Sequence, residues 1–239
     1  MRDTRTFMAA ILRRPKELGA IAPSSKALAR RAAVRVPASG SPVVVELGPG
    51  GGVITDEIRS RLPRSGRLIA VEASGEMVRH LRETRPWLHV IHGDARQLTK
   101  FMRDEGLDRA DSIIATLPWT VLGDEAQIDL LRQITRLLAP DGTFCTVLTL
   151  TAWPLPIARR FRQRLGAAFG EVETTRPVWG NIPPAMLYVC ARPRVPEVNA
   201  ARDADYDLSS LHAVMSAAAV CPARLWRDVV DVLGVSELV

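Results

Sequence analysis

Residues 43–52 read Val43-Val44-Val45-Glu46-Leu47-Gly48-Pro49-Gly50-Gly51-Gly52. The first five form a short aliphatic run holding one carboxylate, the pattern of a strand buried on both faces. The glycines that follow permit a tight turn and let a ligand come close to the backbone. From Val53 to Leu62 the apolar spacing becomes helical. A strand, a glycine turn and a helix in that order present unsatisfied backbone N–H groups to a ligand. Alone, this unit fits several nucleotide cofactors, NAD among them.

The alternation continues outward. Strands are expected at Arg67–Glu72, Leu88–His92, Ser112–Thr116 and Gly142–Leu150, with a closing pair at Glu171–Pro177 and Ala185–Ala191. Between them, Ser74 caps a helix to Arg85, another helix starts near Gln97, and two more cover Asp124–Leu138 and Leu155–Ala168. Ahead of the first strand, Ser24 or Ser25 caps a helix running to about Arg35, which Pro37 ends. Alternating strands and helices predict an α/β fold, a parallel sheet with helices on both faces.

Both ends of the chain add helical patterns. At 2–14, Phe7, Met8, Ile11 and Leu12 share one face, with Arg2, Arg5 and Arg13 largely off it. Two runs near the other end, Leu211/Val214/Met215/Ala218 and Trp226/Val229/Val230/Leu233, repeat the i, i+3, i+4, i+7 spacing. With Pro222 between them they predict a C-terminal helical hairpin. The expected division is 1–37 as an N-terminal helical lid and substrate segment, 38–193 as the sheet domain, and 194–239 as a linker and helical extension.

Composition narrows the class. The 239 residues are 47% hydrophobic and 24% charged, ordinary for a globular chain. A net charge of +6 favours an anionic partner, or it records arginines that solvate helix faces. Cys145, Cys190 and Cys221 are scattered and odd in number, so they predict reduced thiols in a cytoplasmic protein, with no zinc or other metal site. The longest apolar stretch, Cys145 to Ala158, is broken by threonines, Pro154 and Pro156, and is too short to span a bilayer.

Three acidic residues close three successive strands. Glu46 precedes the glycines, where it favours a cationic amino-acid group and repels a pyrophosphate. Glu72 lies about 24 residues after Gly48, where an acidic residue meets ribose hydroxyls in doubly wound folds. Asp94, in Gly93-Asp94-Ala95, can accept from an adenine amine while the Ala95 N–H donates to a ring nitrogen. Taken singly, Glu72 also reads as a surface carboxylate, and Asp94 as a helix cap.

Together these positions resemble the signature of class I S-adenosylmethionine (SAM)-dependent methyltransferases over about residues 43–150. The resemblance implies a Rossmann-like seven-stranded sheet and SAM as cofactor. It places cofactor contacts at Ile21, Ser25, Glu46, Gly48, Gly50, Gly52, Glu72, Ala73, Asp94, Ala95 and Thr116.

Further segments sharpen the likeness. Gly19-Ala20-Ile21-Ala22-Pro23-Ser24-Ser25-Lys26-Ala27-Leu28-Ala29, Val45-Glu46-Leu47-Gly48-Pro49-Gly50 and Asn181-Ile182-Pro183-Pro184-Ala185 resemble bacterial phospholipid N-methyltransferases, over about residues 1–193. That resemblance implies methylation of the amine of phosphatidylethanolamine and an N-terminal amphipathic helix that binds anionic lipid. The chain is more distantly similar to ribosomal RNA adenine dimethyltransferases. It departs from both at Ala115-Thr116-Leu117-Pro118-Trp119, where the phospholipid enzymes tend to carry Ser-Gly-Leu-Pro and the RNA enzymes an Asn-Pro-Pro-Tyr-like motif. The acceptor is therefore open among a lipid amine, a peptide or secondary-metabolite amine, and RNA; DNA is not expected.

Transfer from a sulfonium is an in-line displacement, in which the protein aligns the nucleophile and excludes water. A neutral amine needs no strong base, and the sequence offers no base with an orienting partner. His92, at a strand end, reads as structural. Leu117, Pro118, Trp119 and Asn181 are the acceptor-pocket candidates; Trp119 fits an aromatic wall for an amine or the core equally well. The helix at 2–14 reads as a lid over the cofactor or as an interfacial helix for peripheral binding to an anionic membrane. Arg159, Arg160, Arg162 and Arg164 make a second basic cluster, for phosphate groups or solvent. The stripes of the C-terminal hairpin must bury against something, a second copy in a homodimer being one answer.

Overall fold

The aliphatic strands line up as one sheet with helices packed on each side. The computed structural model describes residues 24–194. The expected helix at 2–14, Ile21, and the linker and helical hairpin of 194–239 beyond residue 194 lie outside the described residues.

In chain order the elements are α1 (Lys26–Ala33), β1 (Val43–Leu47), α2 (Val53–Arg61), β2 (Arg67–Glu72), α3 (Gly75–Thr84) and β3 (His89–His92). A 3-10 turn (Ala95–Gln97) leads into α4 (Leu98–Asp104) and β4 (Ala110–Ala115). The remainder is α5 (Asp124–Leu137), β5 (Leu138–Thr149), α6 (Pro156–Ala168), β6 (Phe169–Thr174) and β7 (Ala185–Pro193). The seven strands run in the order β3-β2-β1-β4-β5-β7-β6. β7 is antiparallel to both its neighbours, and the β1–β5 pairings are parallel. This is the expected Rossmann-like seven-stranded sheet.

Period-two alternation sorts each strand between two cores. Val45, Leu47, Ile113, Ala115 and Phe144 face α4, α5 and α6, through Met102, Leu130, Ile134 and Phe161. Val44, Ala70, Ile114, Cys145 and Leu187 face α1, α2 and α3, through Leu28, Ala32, Ile58 and Leu81. Helix α1 falls inside the expected 1–37 lid segment, yet its Leu28, Ala29, Ala32 and Ala33 are fully buried in the second core. It is a wall of the fold.

Boundaries differ where pairing reaches past the local pattern. β5 starts at Leu138, before the expected Gly142, because Leu138 pairs with Ala110 across a register shift that precedes Ser112 opposite Thr143. β6 starts at Phe169, whose ring stacks on Phe144. The basic cluster of α6 turns largely to internal partners. Arg160 and Arg164 pair with Asp124, and Arg162 lies 4.2 Å over the Trp153 ring while donating to its carbonyl.

Candidate cofactor and acceptor site

β1 delivers the glycine turn at the carboxyl edge of the sheet. Gly48, Gly50 and Gly52 have φ of 73°, 53° and 81°, the left-handed region that only glycine enters cheaply. Two of them are also crowded. A Cβ on Gly48 would lie 3.1 Å from Leu117 Cδ2, and one on Gly52 would lie 2.5 Å from Arg85 Cζ. Arg85 is held there by Asp56, with Nε and Nη2 each donating over 2.7 Å, which ties the end of α3 to the first turn of α2. The Gly48 N–H donates to the Val71 carbonyl at 2.9 Å, and the Thr116 hydroxyl donates to the Gly48 carbonyl.

The three acidic residues close β1, β2 and β3, which are adjacent in the sheet. Glu46 is fully buried. Its Oε2 accepts from the Thr55 hydroxyl at 2.7 Å, while Oε1 has no hydrogen-bond partner among the described residues. Burial raises its pKa to about 7, with the Thr55 bond opposing the rise. A buried carboxylate satisfied on one oxygen is costly, and it is relieved by a donor, above all a cationic one.

Glu72 is only 7% exposed, so it is no surface carboxylate. Its Oε2 accepts the Gly50 N–H at 3.1 Å and its Oε1 the Ser74 N–H at 2.8 Å. Each oxygen keeps a second lone pair. Asp94 does cap, opening the 3-10 turn through the Arg96 N–H at 2.9 Å. Its Oδ2 also accepts the Arg96 guanidinium at 3.0 and 2.7 Å. Burial pushes this carboxyl up, but the Arg96 bonds outweigh it and hold the pKa below the ordinary value. Ala95 is buried beside it; Ala73 and His92 are exposed.

The loop after β4 settles the two readings of Trp119. Its ring is 1% exposed, stacks on Phe161 at 4.4 Å and meets Phe144 edge-on. Its Nε1–H donates to the Thr146 hydroxyl at 2.6 Å. Trp119 is therefore core rather than an acceptor wall: Phe161 from α6 stacks on it, Phe144 from β5 meets it edge-on, and the Thr146 hydroxyl of β5 takes its donor. Leu117 and Pro118 are partly exposed. Gln127 on α5, fully buried, clamps the same loop by donating to the carbonyls of Trp119 at 2.6 Å and Leu122 at 3.1 Å.

Asn181 is 5% exposed and faces inward as well. Its Oδ1 accepts the N–H of Ser25 at 2.8 Å, and its Nδ2 donates to the Pro183 carbonyl at 2.8 Å. Ser25 in turn caps α1 by accepting the Leu28 N–H. The structure thus joins two predicted site residues to each other. Thr55, Arg85, Arg96 and Gln127 escaped the sequence reading. Thr55 alone had a local signal, sitting in the first turn of the helix that the glycines open.

The donor set suits a nucleoside that carries an amino acid. A buried acceptor awaits a cation, a second carboxylate retains free lone pairs, and the glycine turn is held to that second carboxylate through the Gly50 N–H. The fold and this site define a class I SAM-dependent methyltransferase, and the chain belongs to that family. Residues 44–142 match the family model described as "Methyltransferase domain". The chain is 34% identical to an ornithine lipid N-methyltransferase of Singulisphaera acidiphila over 193 residues, 80% of this chain and 96% of the relative. Its fold is similar to human methyltransferase-like protein 13 in complex with SAH (TM-score 0.53, 19% identity, 70% of this chain and 80% of that one). It is also similar to Aeropyrum pernix fibrillarin with natively bound SAM (TM-score 0.50, 20% identity, 68% and 76%).

Proposed function

We propose that this methyltransferase N-methylates the amine of a membrane lipid, of the phosphatidylethanolamine or ornithine-lipid type. One observation carries the reading: the likeness to an ornithine lipid N-methyltransferase spans 96% of that protein, so it reaches well beyond the cofactor turn. Bound SAM supplies an electrophilic methyl group on a sulfonium.

The chain's own residues bind and orient. Glu46 Oε1 takes the ammonium of the methionine part, Glu72 the ribose hydroxyls, and Asp94 with Ala95 the adenine edge. Gly48, Gly50 and Gly52 let the ligand lie against backbone, with Ser25, Ala73 and Thr116 around it. Leu117 and Pro118 flank the acceptor. Asn181 works indirectly, by holding the α1 N-terminus. A neutral amine would attack the methyl carbon in line as its C–S bond breaks, S-adenosylhomocysteine would leave, and the methylated ammonium would then pass a proton to solvent, so what the chain's residues supply is alignment and a water-poor site during transfer.

The test is methyl transfer from radiolabelled SAM to vesicles containing either amino lipid, beside a soluble-amine fraction and RNA. Label in the lipid is expected. Label in soluble amines alone would favour the second reading, which the altered 115–119 loop motivates. Label in RNA alone would overturn both.

A further inference from the structure

We infer that the turn at residues 179–183 is an interfacial anchor that docks the carboxyl edge of the sheet on an anionic lipid surface. Trp179 is 72% exposed and Ile182 79%, two large apolar side chains within four residues. Single exposed apolar residues are commonplace. This pair stands on a turn fastened from beneath. Asn181, between them, points inward to Ser25 and Pro183, and the turn closes through the Val178 N–H on the Ala185 carbonyl at 2.7 Å. The anchor is therefore already ordered before it docks, which lowers the entropic cost of docking.

Its position is the second argument. β7 opens at Ala185 opposite Thr149, the end of β5, and the Leu150 N–H donates to the Pro184 carbonyl at 2.7 Å. Thr149 lies beyond Thr146, which pairs with Ala115 at the end of β4, itself paired with Leu47 before the glycine turn. The turn thus projects from the edge that carries the cofactor residues. Leu155, 44% exposed, follows β5 at that edge too.

Charge supplies the third. Residues 24–37 and 174–187 contain Lys26, Arg30, Arg31, Arg35 and Arg176, and no Asp or Glu. Arg31 donates to the Arg176 carbonyl, joining the two segments, while Arg30 pairs with Glu57 at 3.4 Å. A tryptophan and an aliphatic side chain on a turn whose own segment, and the helix segment it is fastened to, carry cations and no carboxylate match the boundary of an anionic bilayer. This rests on the lipid-amine reading, since it explains how a bilayer headgroup meets the cofactor edge.

The experiment is sedimentation of the full chain with phosphatidylglycerol/phosphatidylcholine vesicles and with pure phosphatidylcholine, for wild type and a Trp179→Ser/Ile182→Ser double variant. In parallel, methyl transfer is measured on a short-chain amino lipid kept monomeric, with cofactor binding as the control for folding. The double variant should partition about tenfold or more weakly into anionic vesicles, with monomer methylation unchanged. Wild type should prefer anionic vesicles and lose binding as salt rises. Equal partitioning of variant and wild type, or no binding of wild type to anionic vesicles, overturns the anchor. If the variant loses vesicle binding while neither protein methylates any lipid amine, the anchor stands and the lipid-amine reading falls.

Discussion

Lowering the pH from about 8 to about 6 should weaken binding of S-adenosylhomocysteine about tenfold, and Glu46→Gln should remove that dependence. The reasoning starts from Glu46, fully buried, with Oε1 unpartnered among the described residues and a pKa raised to about 7. A cationic amine at Oε1 favours the ionised form, so binding expels the proton that Glu46 holds below neutrality. One pH unit below its pKa, about nine-tenths of the carboxyl is protonated, and each further unit costs another factor of about ten until the bound form itself titrates. The ligand's own amine also titrates, on the alkaline side of this range. Calorimetry at several pH values should therefore compare wild type with Glu46→Gln at each one, so that this contribution cancels. Near pH 6 the wild type should also release close to one proton per ligand bound, read from buffers of different ionisation enthalpy. The free protein behaves inversely. A raised carboxyl pKa favours folding below its usual 4.5, and that contribution fades as the pH climbs through about 7. A constant affinity ratio between wild type and Glu46→Gln from pH 5.5 to 8 would refute the placement of Glu46.

Asp94→Ala should abolish methyl transfer to any acceptor while leaving the fold intact; full activity would remove Asp94 from the cofactor site. Gly52→Ala forces a left-handed alanine against Arg85 and should cost about 2 kcal/mol, seen in the denaturant midpoint, together with weaker cofactor binding. Asn181→Ala leaves the Ser25 N–H without its partner and should cost about 1–3 kcal/mol by the same measurement, while an unchanged midpoint would show that water replaces the tie. Gln127→Leu frees the 119–122 carbonyls and should lower kcat for lipid more than cofactor affinity, as a kinetic comparison with equilibrium binding would show.

The sequence alone carried the elements that depend on near neighbours. Strand β1 and the glycine turn, the cap at Ser74 and a cap at Ser24 or Ser25 were legible, because a buried aliphatic run and a cap's hydrogen bond act over a few residues; that Ser25 is the cap and that Val44 and Val45 face different cores came from the fold. The sequence of acidic residues at three strand ends was legible too, since each sits where a short pattern stops. What needed the tertiary structure were the contacts that close across the fold. Trp119 read equally as pocket or core until Phe161 and Thr146 arrived from α6 and β5. The tie between Asn181 and Ser25, 156 positions apart, exists only in the fold. Glu46 was legible as a carboxylate beside the glycines, but its half-satisfied burial, and hence its proton, depends on Thr55 and on the sheet packed around it. No local spacing encodes which side chain will occupy a space, because that is set by how the strands are ordered.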